Sequence, residues 1–133
     1  MTPAGASTLG AGETEIANLE EKLRRQIHPS QMRADTITSG VFSTQDRMVS
    51  TFREAVPPEE AHRIHTEEYG LQTIGSCVVS VGDVKRAGLR AVDHSAVQGV
   101  HPSHSYIDMR GLGKSARDKA AKELKRAALQ NQI

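Results

Sequence analysis

The stretch "LQTIGSCVVSVGDVKRAGL", residues 71–89, decides the predicted fold because it joins two elements of different type. Its first half contains an almost uninterrupted apolar run: Cys77, Val78, Val79 and Val81. A run of this kind is typical of a strand that is buried on both faces. The pair Gly82-Asp83 then favours the start of a short helix, and Gly88 favours its end. The stretch therefore predicts a central buried strand that leads into a helix.

Upstream, "TEIANLEEKLRRQI" (residues 14–27) permits two interpretations. Its apolar residues recur at spacings of three and four, which predicts a helix with one apolar stripe: Ile16, Leu19, Leu23 and Ile27. Thr14 is a suitable N-cap, and Pro29 prevents the helix from continuing beyond His28. The alternative is that "LRRQI" forms the first strand of the sheet.

Between this segment and the opening stretch, two short segments predict a hairpin or meander. "TITSGVFSTQ" (36–45) and "MVSTFREA" (48–55) are rich in β-branched and aromatic residues. Pro57-Pro58 ends the second strand and begins a predicted helix, "PEEAHRIHTEEYG" (58–70). Gly70 is suited to the position just after that helix.

Downstream, a polar loop from Asp93 to Ser103 leads to a predicted strand, "HSYIDM" (104–109). The segment "SARDKAAKELKRAALQ" (115–130) predicts a helix capped by Ser115, with these residues on its apolar face: Ala116, Ala120, Leu124 and Ala127. The order of elements predicts an α+β fold, with mixed α/β as the alternative. We expect a single-layer sheet of about four to five strands packed by three to four helices.

Length and composition favour one small domain. Residues 1–13 are mostly Gly, Ala, Ser and Thr and predict a flexible tail, and residues 14–133 predict a single α/β domain. Aromatic residues make up only 3% of the 133 residues, so the predicted core is thin. A thin core favours a homo-oligomer or a protein partner. No secretory signal and no membrane-spanning run is evident, so we expect a cytoplasmic protein that does not bind membranes.

The formal net charge is only +1, but the basic residues are unevenly distributed. Many of them lie on the last predicted helix: Lys114, Lys119, Lys122, Lys125 and Arg126. Such a basic face can contact the phosphates of a nucleic acid. No aromatic residue interleaves with these side chains to stack on bases, so a protein partner or a second subunit is the preferred use of this face.

Three patterns resemble known sites, and each has a plainer interpretation. "GLGKS" (111–115) resembles a phosphate-binding loop, but that motif requires glycine at Asp108, so we predict a turn and a helix cap. Cys77 is the only cysteine, and its apolar surroundings predict an unreactive packing residue. The pairs His62/His65 and His101/His104 match no metal-ligand spacing, so we predict no metal and no cofactor.

Several segments together resemble a family of small uncharacterised bacterial proteins. These segments are "LRRQIHPS", Gly40-Val41-Phe42, "HTEEYG", "IGSCVVSVGDV" and "HSYIDMRGLGKS". The family pattern runs H-P-S, then S-x-G-x-x-x-V, then H-A-x-I-D. We know of no activity for this family, so the resemblance implies none. It draws attention to His28, His65, His104 and Asp108, which fall in its motif blocks.

Three functions are therefore considered. The preferred hypothesis is a non-enzymatic, protein-binding or self-associating module, because no complete catalytic or cofactor motif is present. The second is a small transferase or hydrolase with a histidine-centred site whose candidate residues are His28, His65, His104 and Asp108. Its "RRQIHPS" segment resembles that of compact toxin-type enzymes that bind NAD. The third is nucleic-acid binding through the basic C-terminal helix.

Overall fold

A computed structural model describes residues 9–96 and 104–131. Its strands are β1 Thr14–Glu15, β2 Lys22–Gln26, β3 Met32–Arg33, β4 Thr36–Ile37, β5 Met48–Phe52, β6 Ser76–Ser80, β7 Arg90–Asp93 and β8 His104–Asp108. Its helices are α1 Pro58–Arg63, α2 Val81–Arg86 and α3 Lys114–Gln130. Short 3-10 turns span Pro29–Gln31 and Ser39–Phe42, and a π-helical turn, Ile64–Glu68, extends α1.

The main sheet is antiparallel throughout, with strand order β1-β7-β8-β5-β2-β6. β3 and β4 form a separate two-stranded ribbon. The α+β class is therefore confirmed. Within the described ranges the main sheet has six strands rather than four to five, and three helices pack with it.

The two faces of the sheet are covered differently. One face packs against α2, α3 and the Ser39–Phe42 turn, and its core includes Leu23, Val41, Phe42, Val49, Val79, Ile107 and Leu124. Next to α1, a smaller apolar cluster joins Phe52 to Ala61 and Ile64. Few apolar residues therefore cover the second face, and polar side chains of β5, β7 and β8 occupy much of it.

The helix predicted over residues 14–27 is wrong, and the alternative strand is correct. β2 lies between β5 and β6, with Arg24 opposite both Phe52 and Val78. Leu19, which the apolar stripe of a helix would bury, is 51% exposed. The spacing of the apolar residues fits a helix, but the tertiary pairing of the backbone with two strands decides the conformation.

The strand predicted over residues 36–45 is also wrong for most of its length. Only Thr36–Ile37 is extended, and Ser39–Phe42 forms a 3-10 turn. Val41 and Phe42 are both completely buried. Consecutive residues of a strand point to opposite faces, whereas this turn lets both side chains enter the core beneath α3.

β6 is an edge strand and not the predicted central strand. It pairs only with β2, and its burial alternates, with Cys77 and Val79 buried and their neighbours half-buried. The true centre of the sheet is formed by β8 and β5, flanked by β7. β7 lies where the predictions placed no strand.

The helices lie close to their predicted positions, with different caps. Ser80 caps α2, because its Oγ accepts from Asp83 N at 2.9 Å while Asp83 Oδ2 accepts from Ser80 N. Gly88 ends this segment with φ +81°, as predicted. Gly113 and not Ser115 occupies the N-cap of α3, whose buried residues are Ala120, Ala121, Leu124 and Ala128. No helix among the described residues is long and apolar enough to cross a membrane.

Candidate active site

Two histidines face each other at the open end of the β7–β8 pair. Asp93 lies opposite Ser105, and the next pair outward is His94 and His104, because His94 N donates to His104 O at 3.1 Å. The two Nδ1 atoms are 3.0 Å apart, and the ring centroids are 5.1 Å apart. One ring must therefore donate to the other.

A serine on the neighbouring strand contacts one of these rings. Ser50 on β5 lies opposite Tyr106 of β8, which places it diagonally across from His104. Ser50 Oγ is 3.1 Å from His104 Nε2. Ser50 is exposed, so its hydroxyl is accessible to a ligand.

A carboxylate lies on the other side of His94. Glu13 Oε2 is 3.3 Å from His94 Nε2 and accepts a hydrogen bond from the Tyr106 hydroxyl at 2.8 Å. Burial alone would raise the pKa of Glu13. Hydrogen bonds from Gly10 N and Tyr106, together with the charge of Arg110, lower that pKa below its ordinary value. Glu13 is therefore ionised at neutral pH and acts only as a hydrogen-bond acceptor.

The Glu13 carboxylate determines which ring nitrogen of His94, and in turn of His104, carries the proton. Because Glu13 only accepts, it favours the His94 tautomer with its proton on Nε2. The bare Nδ1 of His94 then accepts from the Nδ1–H of His104. His104 Nε2 is left without a proton and accepts from the Ser50 hydroxyl. This is the arrangement of a nucleophile, a general base and a group that orients the base.

Beyond Glu13, the network continues to a buried ion pair. Arg110 Nη2 donates to the Tyr106 hydroxyl at 3.0 Å, and Arg110 Nε donates to Asp108 Oδ1 at 3.0 Å. Asp108 Oδ2 accepts from the buried Arg90 at 2.8 and 2.9 Å. Burial alone would raise the pKa of Asp108, but the hydrogen bonds from Arg110 and Arg90 lower it. Asp108 thus stabilises the strands behind the site and does not face the cleft.

A small cleft lies beside Ser50, where β2 and β5 separate. These strands pair only at Arg24 and Phe52. Beyond that pair, Arg25 occupies the gap and donates from Nε to Val41 O at 2.8 Å and from Nη1 to Ser50 O at 3.0 Å. The cleft has a volume of about 120 Å³ and is lined by Arg25, Gln26, Ser50, Thr51, Phe52, His65, Tyr69, Leu71 and His104.

Of the four residues suggested by the sequence, two line this cleft. His65 and His104 come from the π-helical turn and from β8 and meet at the cleft. The pKa of His65 is lowered, chiefly by burial and further by repulsion from Arg25, His62 and His28, although its hydrogen bond to Gln72 O opposes this shift. His65 is therefore neutral at physiological pH.

His28 has a structural role instead. Its Nδ1 accepts from Ser30 N at 3.0 Å, and its backbone N donates to Gln31 Oε1 at 2.8 Å. These bonds cap the Pro29–Gln31 turn on both sides. The first His-Pro-Ser triplet is thus a turn with its own cap. The second triplet, residues 101–103, lies outside the described residues.

Two other kinds of chemistry, a reactive cysteine and a metal site, gain little support from the described residues. Cys77 is buried, and burial raises the pKa of its thiol to about 11, so it is protonated at neutral pH. Within residues 9–96 and 104–131, no group of three or more His, Cys, Asp or Glu side chains could hold a metal ion.

Comparison with known proteins does not assign a function. No protein-family model, curated protein or solved structure matches this chain. The geometry of the site is therefore the basis on which a function is inferred.

Sequence analysis did not identify Ser50, His94, Glu13 or Arg25 as site residues. His94 was assigned to a loop because β7 was not predicted, and Glu13 fell within the predicted tail. One usable signal exists: His94 closely follows the apolar segment "LRAV" (89–92), and His104 begins the predicted strand "HSYIDM". A hairpin there would place them opposite each other.

Proposed function

We propose that this protein is a hydrolase or transferase that uses Ser50 as nucleophile and His104 as general base. The observation that carries the proposal is the continuous contact from Ser50 Oγ through His104 and His94 to Glu13. Three contacts of 3.0 to 3.3 Å connect the four side chains, and the carboxylate at the end selects the tautomer that base catalysis requires.

The reaction follows from these positions. Ser50 Oγ forms a bond to an electrophilic carbon or phosphorus of the substrate while its proton moves to His104 Nε2. The positive charge on His104 is stabilised by His94, which is itself next to the Glu13 carboxylate. The leaving group then takes the proton from His104 Nε2. His104 Nε2 then takes a proton from water, or from a second substrate, as that molecule attacks the covalent intermediate. The bond to Ser50 Oγ breaks, and Ser50 takes the proton back from His104.

The first test is labelling with a fluorophosphonate probe, which requires no knowledge of the substrate. We expect stoichiometric labelling of Ser50, identified by mass spectrometry of the digested protein. The Ser50→Ala variant removes the label, and His104→Gln slows labelling by about 100-fold or more, as expected for loss of a general base. Ser43→Ala, which removes another exposed serine, leaves the rate unchanged.

One further readout tests the proton relay, which is the series of contacts from Ser50 through His104 and His94 to Glu13. Glu13→Gln removes the carboxylate that selects the His94 tautomer, so labelling slows although Ser50 and His104 are intact. A labelling rate at Ser50 that is no higher than at Ser43 would refute the proposal.

The preferred hypothesis from the sequence, a binding or self-associating module, stays a second candidate. One observation favours it: the segment of residues 69–74, here called the apolar loop, exposes three large side chains at the edge of the cleft. Tyr69 is 40%, Leu71 52% and Ile74 54% exposed. Such a cluster can form a contact with a second copy of the chain or with another protein.

A further inference from the structure

The cleft beside Ser50, here called the Arg25 cleft, contains a guanidinium that makes no direct ion pair with a carboxylate of the described residues. Arg25 donates to two backbone carbonyls, and neither acceptor is charged. No carboxylate of the described residues forms an ion pair with Arg25, and none of the residues that line the cleft is acidic. A guanidinium has five N–H donors in a planar fork, so several of them are available to a ligand.

A second, independent feature of the cleft is an unsatisfied amide. Gln26 is 6% exposed, and its Oε1 accepts from Thr73 Oγ1 at 2.9 Å. Its Nε2 is buried and has no hydrogen-bond partner within the described structure. Buried donors without partners are rare in folded proteins, and a ligand is one of the standard reasons for such a donor.

The size of the cleft limits what it can hold. A cleft of about 120 Å³ has room for a carboxylate or phosphate group. The walls formed by Phe52 and Leu71 are apolar, so they strengthen the interaction between the guanidinium and an anion by excluding water.

We infer that the Arg25 cleft binds a compact oxyanion, a carboxylate or a phosphate group, with Arg25 and Gln26 as donors. The inference deepens the proposed function and rests on it only in calling this oxyanion part of the substrate. Ser50 lines the cleft and also contacts His104. An anchored anion would therefore place the adjoining atoms of the same molecule within reach of the Ser50 hydroxyl.

Binding to the Ser50→Ala protein tests this inference without any catalysis. The probes are inorganic phosphate and acetate, followed by titration calorimetry and by the NMR signals of the His65 ring. We expect saturable binding of at least one of the two anions, with perturbation of His65. The anion that binds more tightly identifies the chemical class of the substrate group.

Neighbouring arginines provide a matched control. Arg25→Gln weakens binding by about 10-fold or more, because a hydrogen bond to a charged group is lost. Arg24→Gln, which removes a guanidinium that donates to Ser76 Oγ and does not line the cleft, changes binding by less than about 2-fold. If Arg25→Gln does not fold, Arg25→Lys keeps the charge and tests the planar fork, and we expect weaker binding there too.

The inference is overturned if neither anion binds to the Ser50→Ala protein, or if Arg24→Gln weakens binding as much as the Arg25 variants do. The two proposals fail separately. Fluorophosphonate labelling of Ser50 without anion binding refutes only the anion site, and anion binding without labelling refutes only the nucleophile.

Discussion

At the scale of single residues, Asp108 is a carboxylate whose ion pairs stabilise the fold. It lies one strand position away from the core-facing Ile107, and its side chain is held by Arg90 and Arg110. Arg90 is 3% exposed, so its charge is costly without the carboxylate. Asp108 was a candidate site residue in the sequence, and the structure places it in this ion pair and not in the cleft.

We predict that Asp108→Asn lowers the free energy of unfolding by about 3–5 kcal/mol at pH 7, because it removes the carboxylate charge that pairs with the buried Arg90 guanidinium. Urea denaturation measures the change. The matched control is Asp118→Asn, which removes an exposed ion pair with Lys114 and therefore has a much smaller effect on stability. A loss below about 1 kcal/mol for Asp108→Asn would contradict the prediction.

The pH dependence of this difference has a defined sign. The pKa of Asp108 is lower in the folded protein than the ordinary value of about 4. Its contribution to stability is therefore fully present above that ordinary value and is lost as the pH falls towards the lowered pKa. The stability gap between the wild type and Asp108→Asn should narrow from pH 5 downward.

At the scale of elements, the site depends on three strands held in register. Arg53, which follows β5, donates from Nη1 to Asp93 Oδ2 at 2.6 Å and from Nη2 to Glu21 Oε1 at 2.7 Å. It thus connects the end of β5 to the segment before β2 and to the last residue of β7. Asp93 immediately precedes His94, so this contact helps to fix the position of the relay.

The basic face of α3 is a separate element, and nucleic-acid binding through it stays a proposal. Lys119, Lys122 and Arg126 are exposed along one side of the helix. If this face binds nucleic acid, replacing the three residues with alanine lowers the affinity and reduces the salt slope by roughly 0.9 per lost phosphate contact. Fluorescence anisotropy at several salt concentrations measures both quantities.

Lys114→Ala is the control for this experiment, because it removes one exposed charge at the start of the same helix. Equal affinity of the triple variant and the wild type would eliminate the basic face as a nucleic-acid site. The other two proposals are unaffected by that result, since α3 packs on the face of the sheet that is opposite the relay.

At the scale of the whole molecule, the exposed apolar loop bears on whether the chain acts alone or associates with a second copy. We predict that the chain forms a dimer through this loop and that the Leu71→Glu/Ile74→Glu variant is monomeric, because burying two carboxylates in an apolar contact is costly. Sedimentation velocity over a range of concentrations measures the association state.

Leu19→Glu is the matched control, since Leu19 is 51% exposed and lies outside the apolar loop. A wild-type protein that stays monomeric at every concentration would contradict the prediction. So would a double variant that associates as strongly as Leu19→Glu.

The sequence by itself determined the elements whose signals are local. The helix start after Pro57, the Gly88 stop and the length of α3 depend on caps and on fixed backbone angles, which neighbouring residues control. The β8 strand and the α+β class were also predicted from local sequence patterns. His65 and His104 were singled out as members of motif blocks, and both of them line the cleft.

Tertiary structure alone decided the rest. Residues 22–26 satisfy both a helical and an extended pattern, and pairing with β5 and β6 selects the strand. The relay joins Glu13, Ser50, His94 and His104. They meet because β5 and β7 both flank β8 and because β1, which directly follows Glu13, pairs with β7. Local preferences cannot specify that strand order, because it depends on which distant backbones pair. The candidate site is thus a consequence of strand pairing.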